Sequence, residues 1–274
     1  MGSAAKGRDT PEVHLLTGQR VVLVSGGAAG IGRAIARGFL AAGDLVHVFD
    51  QSEPAIETLK REHPSIESWV ADASNVSDVD RVFDQLSATR GRLDVLVNNV
   101  GVSGPTATVD KIDPADWDRT IAVDLSASFY CTRRAVPLLK AAGGGSIVNI
   151  ASNAALFGFP LRSPYTAAKW ALIGLTKTWA MELGVHGIRV NALCPGSVNG
   201  PRIDGVIERD AQERGKAAAE IRDVYLRQSS MRVFVEADDV ARTAQFLASE
   251  AGRYISGQAI AIDGHTEGLS NWLD

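Results

Sequence analysis

Ser25-Gly26-Gly27-Ala28-Ala29-Gly30-Ile31-Gly32 is the stretch that decides the fold. An apolar run at Val21–Ser25 precedes it, and Ile31, Ile35 and Phe39 then recur at intervals of four, as on the buried face of an amphipathic helix. Glycines let a backbone turn tightly and approach a pyrophosphate closely, and a helix N-terminus adds free N–H groups and a positive dipole. This order of strand, turn and helix therefore predicts a dinucleotide-binding turn.

The spacing of these glycines is Gly-x-x-x-Gly-x-Gly rather than the commoner Gly-x-Gly-x-x-Gly. A glycine cluster by itself is often a plain loop, so its position between a first strand and a first helix is what makes it informative. We expect the cofactor to contact Gly26, Ala28, Ala29, Gly30, Ile31 and Gly32.

Apolar runs alternate with helical patterns along the chain, and several runs are nearly all apolar, as in strands buried on both faces of a parallel sheet. The predicted strands are Val21–Ser25, Leu45–Asp50, Ile66–Ala71, Val95–Asn98, Ser146–Ser152, Arg189–Cys194 and Ala259–Asp263. Helices are predicted near 31–42, 53–62, 76–89, 114–140, 164–185 and 236–249, with Gly43 ending the first and Asn75 or Ser77 capping the third. This predicts one α/β domain over 18–274, a doubly wound seven-stranded parallel sheet with helices on both faces.

Composition narrows the class of protein. The 274 residues carry a net charge of −4 with no basic run, which gives no reason to expect a nucleic-acid partner, and no apolar stretch is long enough to predict a membrane span. Two widely separated cysteines, Cys131 and Cys194, favour a reducing cytoplasm, and the five His residues lack metal-ligand spacing, so we expect no metal. Residues 1–17 have no apolar signal core and are expected to form a disordered leader.

Residues 197–231 form the irregular, charged part of the sequence, and we interpret them as a substrate loop. Arg202 is a candidate contact for a carboxylate or polyhydroxyl substrate; a solvated charged helix is the alternative interpretation, and the one favoured by charges of alternating sign. The arginines in this segment are Arg202, Arg209, Arg214, Arg222 and Arg227.

Tyr165 and Lys169 carry the chemistry that the sequence indicates. Residues four apart share one face of a helix, so the Lys169 ammonium would lie beside the Tyr165 phenol and favour its phenolate form. Ser152, thirteen residues before Tyr165, ends an apolar run and could hold the reacting oxygen. A Tyr-x-x-x-Lys pair alone occurs often by chance, but the trio suits proton transfer to or from an alcohol or carbonyl.

Asp50 ends the second predicted strand, eighteen residues beyond Gly32. A carboxylate there can accept hydrogen bonds from an adenosine ribose and would repel a 2′-phosphate, so it predicts NAD rather than NADP. Neither Ala29 nor Gln51 offers the positive charge that a 2′-phosphate requires. The alternative is that Asp50 is a helix cap or a solvated strand end.

Several further motifs fall in a fixed order: Asp72 after the third strand, Asn98-Asn99-Val100-Gly101, Pro195-Gly196 after the sixth strand and Asp263-Gly264 after the seventh. With these, the chain resembles the short-chain dehydrogenases/reductases from about Gly18 to Gly264, with Val100 in place of an Ala. The resemblance implies a Rossmann-like fold in which Asp72 faces the adenine, Pro195-Gly196 faces the nicotinamide, and Ser152, Tyr165 and Lys169 are catalytic. The remaining cofactor contacts that it implies are Asp50, Gln51, Asp72, Ala73, Asn99, Val100, Gly101, Ile150, Tyr165, Lys169, Pro195, Gly196 and Val198.

Two positions depart from the family pattern. Asp124 stands where an Asn usually connects to the lysine through water, and a carboxylate there would weaken the positive field of Lys169 on Tyr165. Asp124 either keeps that relay role or is a structural side chain bonded to nearby backbone. Gly200 replaces a Thr that contacts the nicotinamide carboxamide, a contact that Asn199 could supply.

The resemblance implies reversible hydride transfer between NAD and a secondary alcohol or ketone, with Tyr165 as general acid/base. The expected partner is a small molecule such as a sugar, polyol, hydroxy acid, cyclic diol or steroid. A 3-oxoacyl-thioester (acyl-carrier) reductase is one alternative, and an inactive NAD-binding sensor or scaffold is another. The segment Ala154–Leu161 would line the site or pack in the core, and family members are mostly homotetramers or dimers, built on helices corresponding to 114–140 and the Tyr165 helix.

Overall fold

The computed structural model describes residues 18–269. Seven parallel strands form one sheet in the order β3-β2-β1-β4-β5-β6-β7, which confirms the predicted fold. The strands are β1 (Val21–Ser25), β2 (Leu45–Asp50), β3 (Glu67–Val70), β4 (Val95–Asn98), β5 (Gly145–Ile150), β6 (Ile188–Pro195) and β7 (Ala259–Ile262). The predicted leader at 1–17 lies outside the described residues.

Nine α-helices are assigned within residues 18–269, and the predicted helices are all present near their expected positions. They are α1 (Gly30–Ala41), α2 (Glu53–Glu62), α3 (Val76–Arg90), α4 (Pro114–Ile121), α5 (Ala127–Ala141), α6 (Ser163–Leu183), α7 (Pro201–Arg214), α8 (Ala218–Arg227) and α9 (Ala237–Ala248). The long helix predicted over 114–140 is α4 and α5 joined by a π-helical turn at Ala122–Ser126. Asn75 caps α3 by accepting hydrogen bonds from the N–H groups of Ser77 and Asp78.

The prediction of an irregular segment at 197–231 was wrong, because most of it forms α7 and α8. Between its charged residues, this segment has apolar residues at helical spacing. Val206, Ile207 and Ala211 of α7 pack against Ile221 and Tyr225 of α8 in a small separate core. This burial stabilises the two helices. The alternative interpretation of a charged helix is therefore right as to helix, but one face of each helix is buried rather than solvated.

The main core lies in two layers, one on each face of the sheet. Val22 and Val24 of β1 pack on the side of α1, α2 and α9, whereas Val21 and Leu23 pack on the side of α3, α5 and α6. Alternate residues of a strand point to opposite faces, so an apolar run such as β1 fills both layers. None of the helices within residues 18–269 has the length and apolar character needed to span a membrane.

Candidate active site

The site lies at the carboxyl ends of the adjacent strands β1 and β4. The chain leaves β1 toward β2 on one side and leaves β4 toward β5 on the other. In doubly wound sheets, ligands bind in the crevice at the carboxyl ends of the strands at this point. The turn after β1 enters it with Gly26 and Gly30 in the left-handed region, at φ +60° and +52°. A Cβ on Gly32 would lie 2.2 Å from the Gly26 carbonyl oxygen and 2.4 Å from Asn99 Nδ2. The tight turn therefore requires glycine at position 32.

Asn99 holds the glycine turn against the end of β4. Its side-chain amide donates hydrogen bonds to the carbonyl oxygens of Ser25 at 3.2 Å and Gly26 at 2.8 Å. Its backbone N–H donates to Ser25 Oγ at 3.1 Å. The Asn-Asn motif thus fixes the shape of the turn, with its partners more than seventy residues away along the chain.

Asp50 lies at the carboxyl end of β2, on the wall of the same crevice. Its carboxylate accepts hydrogen bonds from the N–H of Ala28 at 3.3 Å and of Ser52 at 3.0 Å. These bonds orient the side chain beside the turn. Gln51, Asp72 and Ala73 lie along the same wall.

One cavity of about 500 Å³ extends from the glycine turn, across the carboxyl ends of the strands, to α7 and α8. Most of the residues predicted to contact the cofactor or react line it. They are Gly26, Ala29, Gly30, Ile31, Asp50, Gln51, Asp72, Ala73, Asn99, Val100, Gly101, Ile150, Ser152, Tyr165, Lys169, Pro195, Gly196 and Val198. Three predicted residues, Ala28, Gly32 and Asp124, support this lining from behind.

The three residues predicted to be catalytic line the cavity. Ser152 follows β5, and Tyr165 and Lys169 lie on the first turns of α6. The Lys169 ammonium is buried, donates a hydrogen bond to the Ile150 carbonyl oxygen at 3.2 Å and lies 5.7 Å from the centre of the Tyr165 ring. Ser152 Oγ accepts a hydrogen bond from the N–H of Ala154 at 3.1 Å. The helical spacing thus brings Tyr165 and Lys169 together as predicted, and Ser152 lines the same cavity.

Asp124 lies in the π-helical turn and is fully buried behind Gly101. Its Oδ1 accepts a hydrogen bond from the N–H of Val102 at 2.6 Å, and Oδ2 has no hydrogen-bond partner within the described chain. A Cβ on Gly101 would lie 3.2 Å from Asp124 Oδ1 and 3.3 Å from Lys169 Nζ, so both groups face the same glycine. Burial raises the pKa of Asp124, against the opposing effect of the Lys169 charge.

The family model described as enoyl-(acyl carrier protein) reductase matches residues 26–266. The chain is 33% identical over 249 residues to 3-oxoacyl-[acyl-carrier-protein] reductase FabG of Thermotoga maritima, which covers 89% of this chain and 96% of that protein. It is 35% identical over 255 residues to D-beta-hydroxybutyrate dehydrogenase of Rhizobium meliloti, covering 89% and 97%. The chain belongs to the short-chain dehydrogenase/reductase family.

Solved structures of such dehydrogenases have the same fold. The structure of NAD+-bound xylitol dehydrogenase superposes on this short-chain dehydrogenase/reductase with a TM-score of 0.86 at 25% identity, covering 90% of this chain and 98% of that one. The predicted family resemblance is confirmed over the length for which it was proposed.

The end of the cavity next to the predicted trio combines residues that the sequence singled out, such as Arg202, with others that it did not. Of the apolar segment Ala154–Leu161, Phe159 lines the cavity, while Ala155 and Leu156 pack in the core beside Leu172. The further lining residues at this end include Ser103, Arg162, Ile203, Val206, Tyr225 and Leu269. The sequence offered one indication of Arg162: it lies three residues before Tyr165 at the start of a predicted helix. Residues at that spacing face the same side.

Gly200, which replaces the Thr of the family pattern, lies just before α7. Gly200 has φ +136°, and the neighbouring Asn199 lines the cavity while its side-chain amide donates to the Glu236 carboxylate. Asn199 is therefore held by α9. Arg202, one turn further, lines the cavity and donates to the Gly101 carbonyl oxygen.

Proposed function

We propose that this protein is an NAD-dependent oxidoreductase that transfers a hydride between nicotinamide and a secondary alcohol or ketone. The observation that carries this proposal is a single cavity with the glycine turn and Asp50 at one end and the trio of Ser152, Tyr165 and Lys169 beyond them. Cofactor and substrate would therefore meet at the trio.

The residues present fit the cofactor. The turn faces the cavity through Gly26, Ala29, Gly30 and Ile31. A Cβ on Gly30 would meet nothing within 4 Å, so its backbone is open to a pyrophosphate. No side chain caps the N-terminus of α1, which leaves its first N–H groups free to bind phosphate oxygens. When bound, NAD accepts or delivers the hydride.

The chain's own residues would manage the proton and the substrate oxygen. Tyr165 takes the hydroxyl proton during oxidation and returns it during reduction. Lys169, buried beside its ring, stabilises the phenolate by its charge. Ser152 donates its hydroxyl to the reacting oxygen and stabilises charge that develops there. To do so, its proton leaves the 3.4 Å hydrogen bond that it donates to Asn153 Oδ1.

The preference for NAD rests on Asp50. Its carboxylate is fixed at the end of β2 by Ala28 and Ser52, where it would repel the additional phosphate of NADP. The xylitol dehydrogenase that shares this fold is NAD+-bound, which supports the choice.

Acyl-carrier reduction is the second candidate function. It is favoured by the match to the enoyl-(acyl carrier protein) reductase family model and by the similarity to the Thermotoga maritima reductase. The hydroxybutyrate dehydrogenase is equally similar, so sequence similarity does not separate the two functions.

The test is reduction of NAD, with NADP in parallel, by a panel of sugars, polyols, cyclic diols, hydroxy acids and hydroxyacyl thioesters. The Tyr165→Phe protein serves as the blank. Tyr165-dependent NADH formation from at least one small alcohol supports the proposal. Turnover of thioesters alone would support the acyl-carrier reductase, and cofactor binding without any turnover would support the sensor or scaffold.

We further propose a homotetramer or dimer. Phe129 on α5 and Trp170 on α6 are 47% and 50% exposed, although Ala127, Ala135 and Leu172 are buried within the chain. Such apolar side chains on neighbouring helices suit a subunit interface. Sedimentation velocity of the wild-type chain and of Trp170→Glu tests this. A charge at the interface should dissociate the subunits, so the variant should sediment as a smaller assembly.

A further inference from the structure

Arg162 is a buried cation at the substrate end of the cavity. Its side chain is 4% exposed, yet it lines the cavity. Its guanidinium carbon lies 5.0 Å from the centre of the Tyr165 ring and 5.3 Å from that of Phe159. The charge therefore stands directly beside the phenol that we propose as the general acid/base.

Most N–H donors of Arg162 have no hydrogen-bond acceptor among the described residues. Within the part of the chain that the structure describes, its one hydrogen bond goes from Nη2 to the Ser103 carbonyl oxygen, and its buried Nε–H has no partner. A guanidinium carries five N–H donors, and leaving buried donors unpaired is costly. Ligand oxygens would be the natural acceptors for the rest.

Arg202 brings a second cation to the same end. It lines the cavity and donates to the Gly101 carbonyl oxygen. Neither Arg162 nor Arg202 lies within ion-pair distance of a carboxylate among residues 18–269, whereas Arg214 and Arg222, on α7 and α8 but outside the cavity, each pair with an Asp. Arg202 is exposed, whereas Arg162 is buried, and buried charges in proteins are normally paired.

Within residues 18–269, no carboxylate forms an ion pair with these arginines, although the buried Asp124 acts on both through its charge. Asp124 is turned toward the N–H of Val102 and lies behind Gly101 rather than in the lining. Asp50 and Asp72 line the opposite end, beyond β2 and β3. Burial lowers the pKa of Arg162. Tyr165 and Tyr225 act to raise this pKa, and the nearby charges of Arg209 and Arg202 act to lower it. A bound anion would oppose the lowering by its charge.

We propose that Arg162 and Arg202 form a carboxylate-binding subsite beside Tyr165, so that the substrate is a hydroxy acid (or the corresponding keto acid) rather than a neutral alcohol or polyol. This inference rests on the proposed function and names its substrate class. The planar fork of an arginine matches the two oxygens of a carboxylate.

The rest of this end of the cavity is apolar. Phe159, Val206, Tyr225 and Leu269 contribute to its walls. Because Arg162 overlies the Tyr165 ring, the carboxylate lies close to the carbon that is oxidised, and the apolar walls receive the remaining carbon chain or ring. The subsite therefore selects hydroxy acids with an apolar substituent.

The experiment compares each acid with its neutral counterpart. The probes are 3-hydroxybutanoate, 3-hydroxyhexanoate and 4-hydroxycyclohexanecarboxylate, each beside its methyl ester, with NAD as acceptor. We expect kcat/KM for at least one acid to exceed that for its ester by about tenfold to hundredfold, the range for hydrogen bonds to charged groups. Equal or better turnover of the esters throughout would overturn the proposal.

The variants Arg162→Gln and Arg202→Gln should each reduce the ratio of acid to ester kcat/KM toward one. Arg162→Lys keeps the charge but loses the fork, so it should retain part of the preference. The matched control is Arg222→Gln, which removes a positive charge from α8 outside the cavity, where Arg222 pairs with Asp204, and should leave the ratio unchanged. If Arg162→Gln fails to fold in a thermal scan, Arg202→Gln carries the test.

Binding separates a failure of this inference from a failure of the proposed function. With NAD present, calorimetric titration of each acid and ester measures affinity whether or not turnover occurs. Tight binding of an acid that depends on Arg162 or Arg202, with no Tyr165-dependent NADH formation, would keep the subsite and reject the dehydrogenase. Turnover of alcohols with equal affinity for acids and esters would keep the dehydrogenase and reject the subsite.

Discussion

The ammonium of Lys169 lies 5.7 Å from the centre of the Tyr165 ring, one helical turn further along α6. The same ammonium is anchored to the Ile150 carbonyl oxygen at the end of β5. The strand thus fixes the cation, and the helix fixes the phenol relative to it. This arrangement supports proton transfer at Tyr165, and the first prediction follows from it.

Tyr165→Phe should lower kcat by about a hundredfold to ten-thousandfold, the range for loss of a general acid/base. The ring remains, so its packing beside Arg162 and Lys169 is kept, and we expect a thermal midpoint close to that of the wild type. Steady-state NADH formation and a thermal scan measure the two quantities. Tyr254→Phe, at a tyrosine that is 85% exposed, is the control, and equal activity of the two variants would refute the role of Tyr165.

Asp124→Asn should stabilise the protein at neutral pH. A carboxyl group whose pKa is raised by folding binds more protons in the folded state, so its contribution to the free energy of unfolding falls as pH rises above its ordinary value of 3.8. Each unit of such a pKa elevation corresponds to about 1.4 kcal/mol. A neutral amide removes this loss, so the thermal midpoint should rise at pH 7 and vary less between pH 4 and pH 7.

The control for that variant is Asp118→Asn on the exposed face of α4, which should leave the pH dependence of the thermal midpoint unchanged. The pH–rate profile gives a second readout. If Asp124 weakens the effect of the Lys169 charge on Tyr165, the rise of kcat/KM with pH should occur at lower pH in Asp124→Asn than in the wild type. An unchanged profile would mean that Asp124 acts only on structure.

Gly32→Ala should weaken NAD binding by about tenfold or more. The new Cβ would lie 2.2 Å from the Gly26 carbonyl oxygen and 2.4 Å from Asn99 Nδ2, so the turn must open, and overpacking of this kind destabilises by about 1–3 kcal/mol. Gly184→Ala is the matched control, since Gly184 is exposed at the C-terminal end of α6, its φ of −58° suits any residue, and a Cβ there meets nothing within 4 Å. That change should stabilise by up to about 1 kcal/mol and leave NAD affinity intact. Similar NAD affinity of both variants would contradict the fit of the turn to a pyrophosphate.

Asp50→Asn combined with Gln51→Arg should shift the cofactor preference toward NADP. Ala28 and Ser52 bond different oxygens of Asp50, and the one oxygen of an asparagine amide can keep only one of these bonds. A thermal scan of the variant therefore checks that the local structure is retained. We expect the ratio of kcat/KM for NADP to that for NAD to rise by about tenfold to hundredfold. Asp50→Asn alone shows how much of the change comes from lost repulsion rather than from the new arginine. If the ratio of NADP to NAD kcat/KM is unchanged in both variants, Asp50 does not determine the cofactor preference.

The sequence by itself determined the features that depend on short stretches of chain. The run at Val21–Ser25, the glycines that follow and the four-residue spacing of Tyr165 and Lys169 each specify local backbone geometry. Strand burial, helix face and turn conformation all follow from neighbours within one or two turns. The sheet, the glycine turn and the placement of Ser152, Tyr165 and Lys169 in one cavity could therefore be predicted.

Only the tertiary structure decided the substrate end. The helices α7 and α8 form because their apolar side chains bury one another, which outweighs their local polarity. Arg162 is held by Ser103, 59 residues away, and Arg202 by Gly101, 101 residues away. Burial, missing counter-charges and convergence on Tyr165 are relationships through space between residues distant in sequence, and no local pattern encodes them.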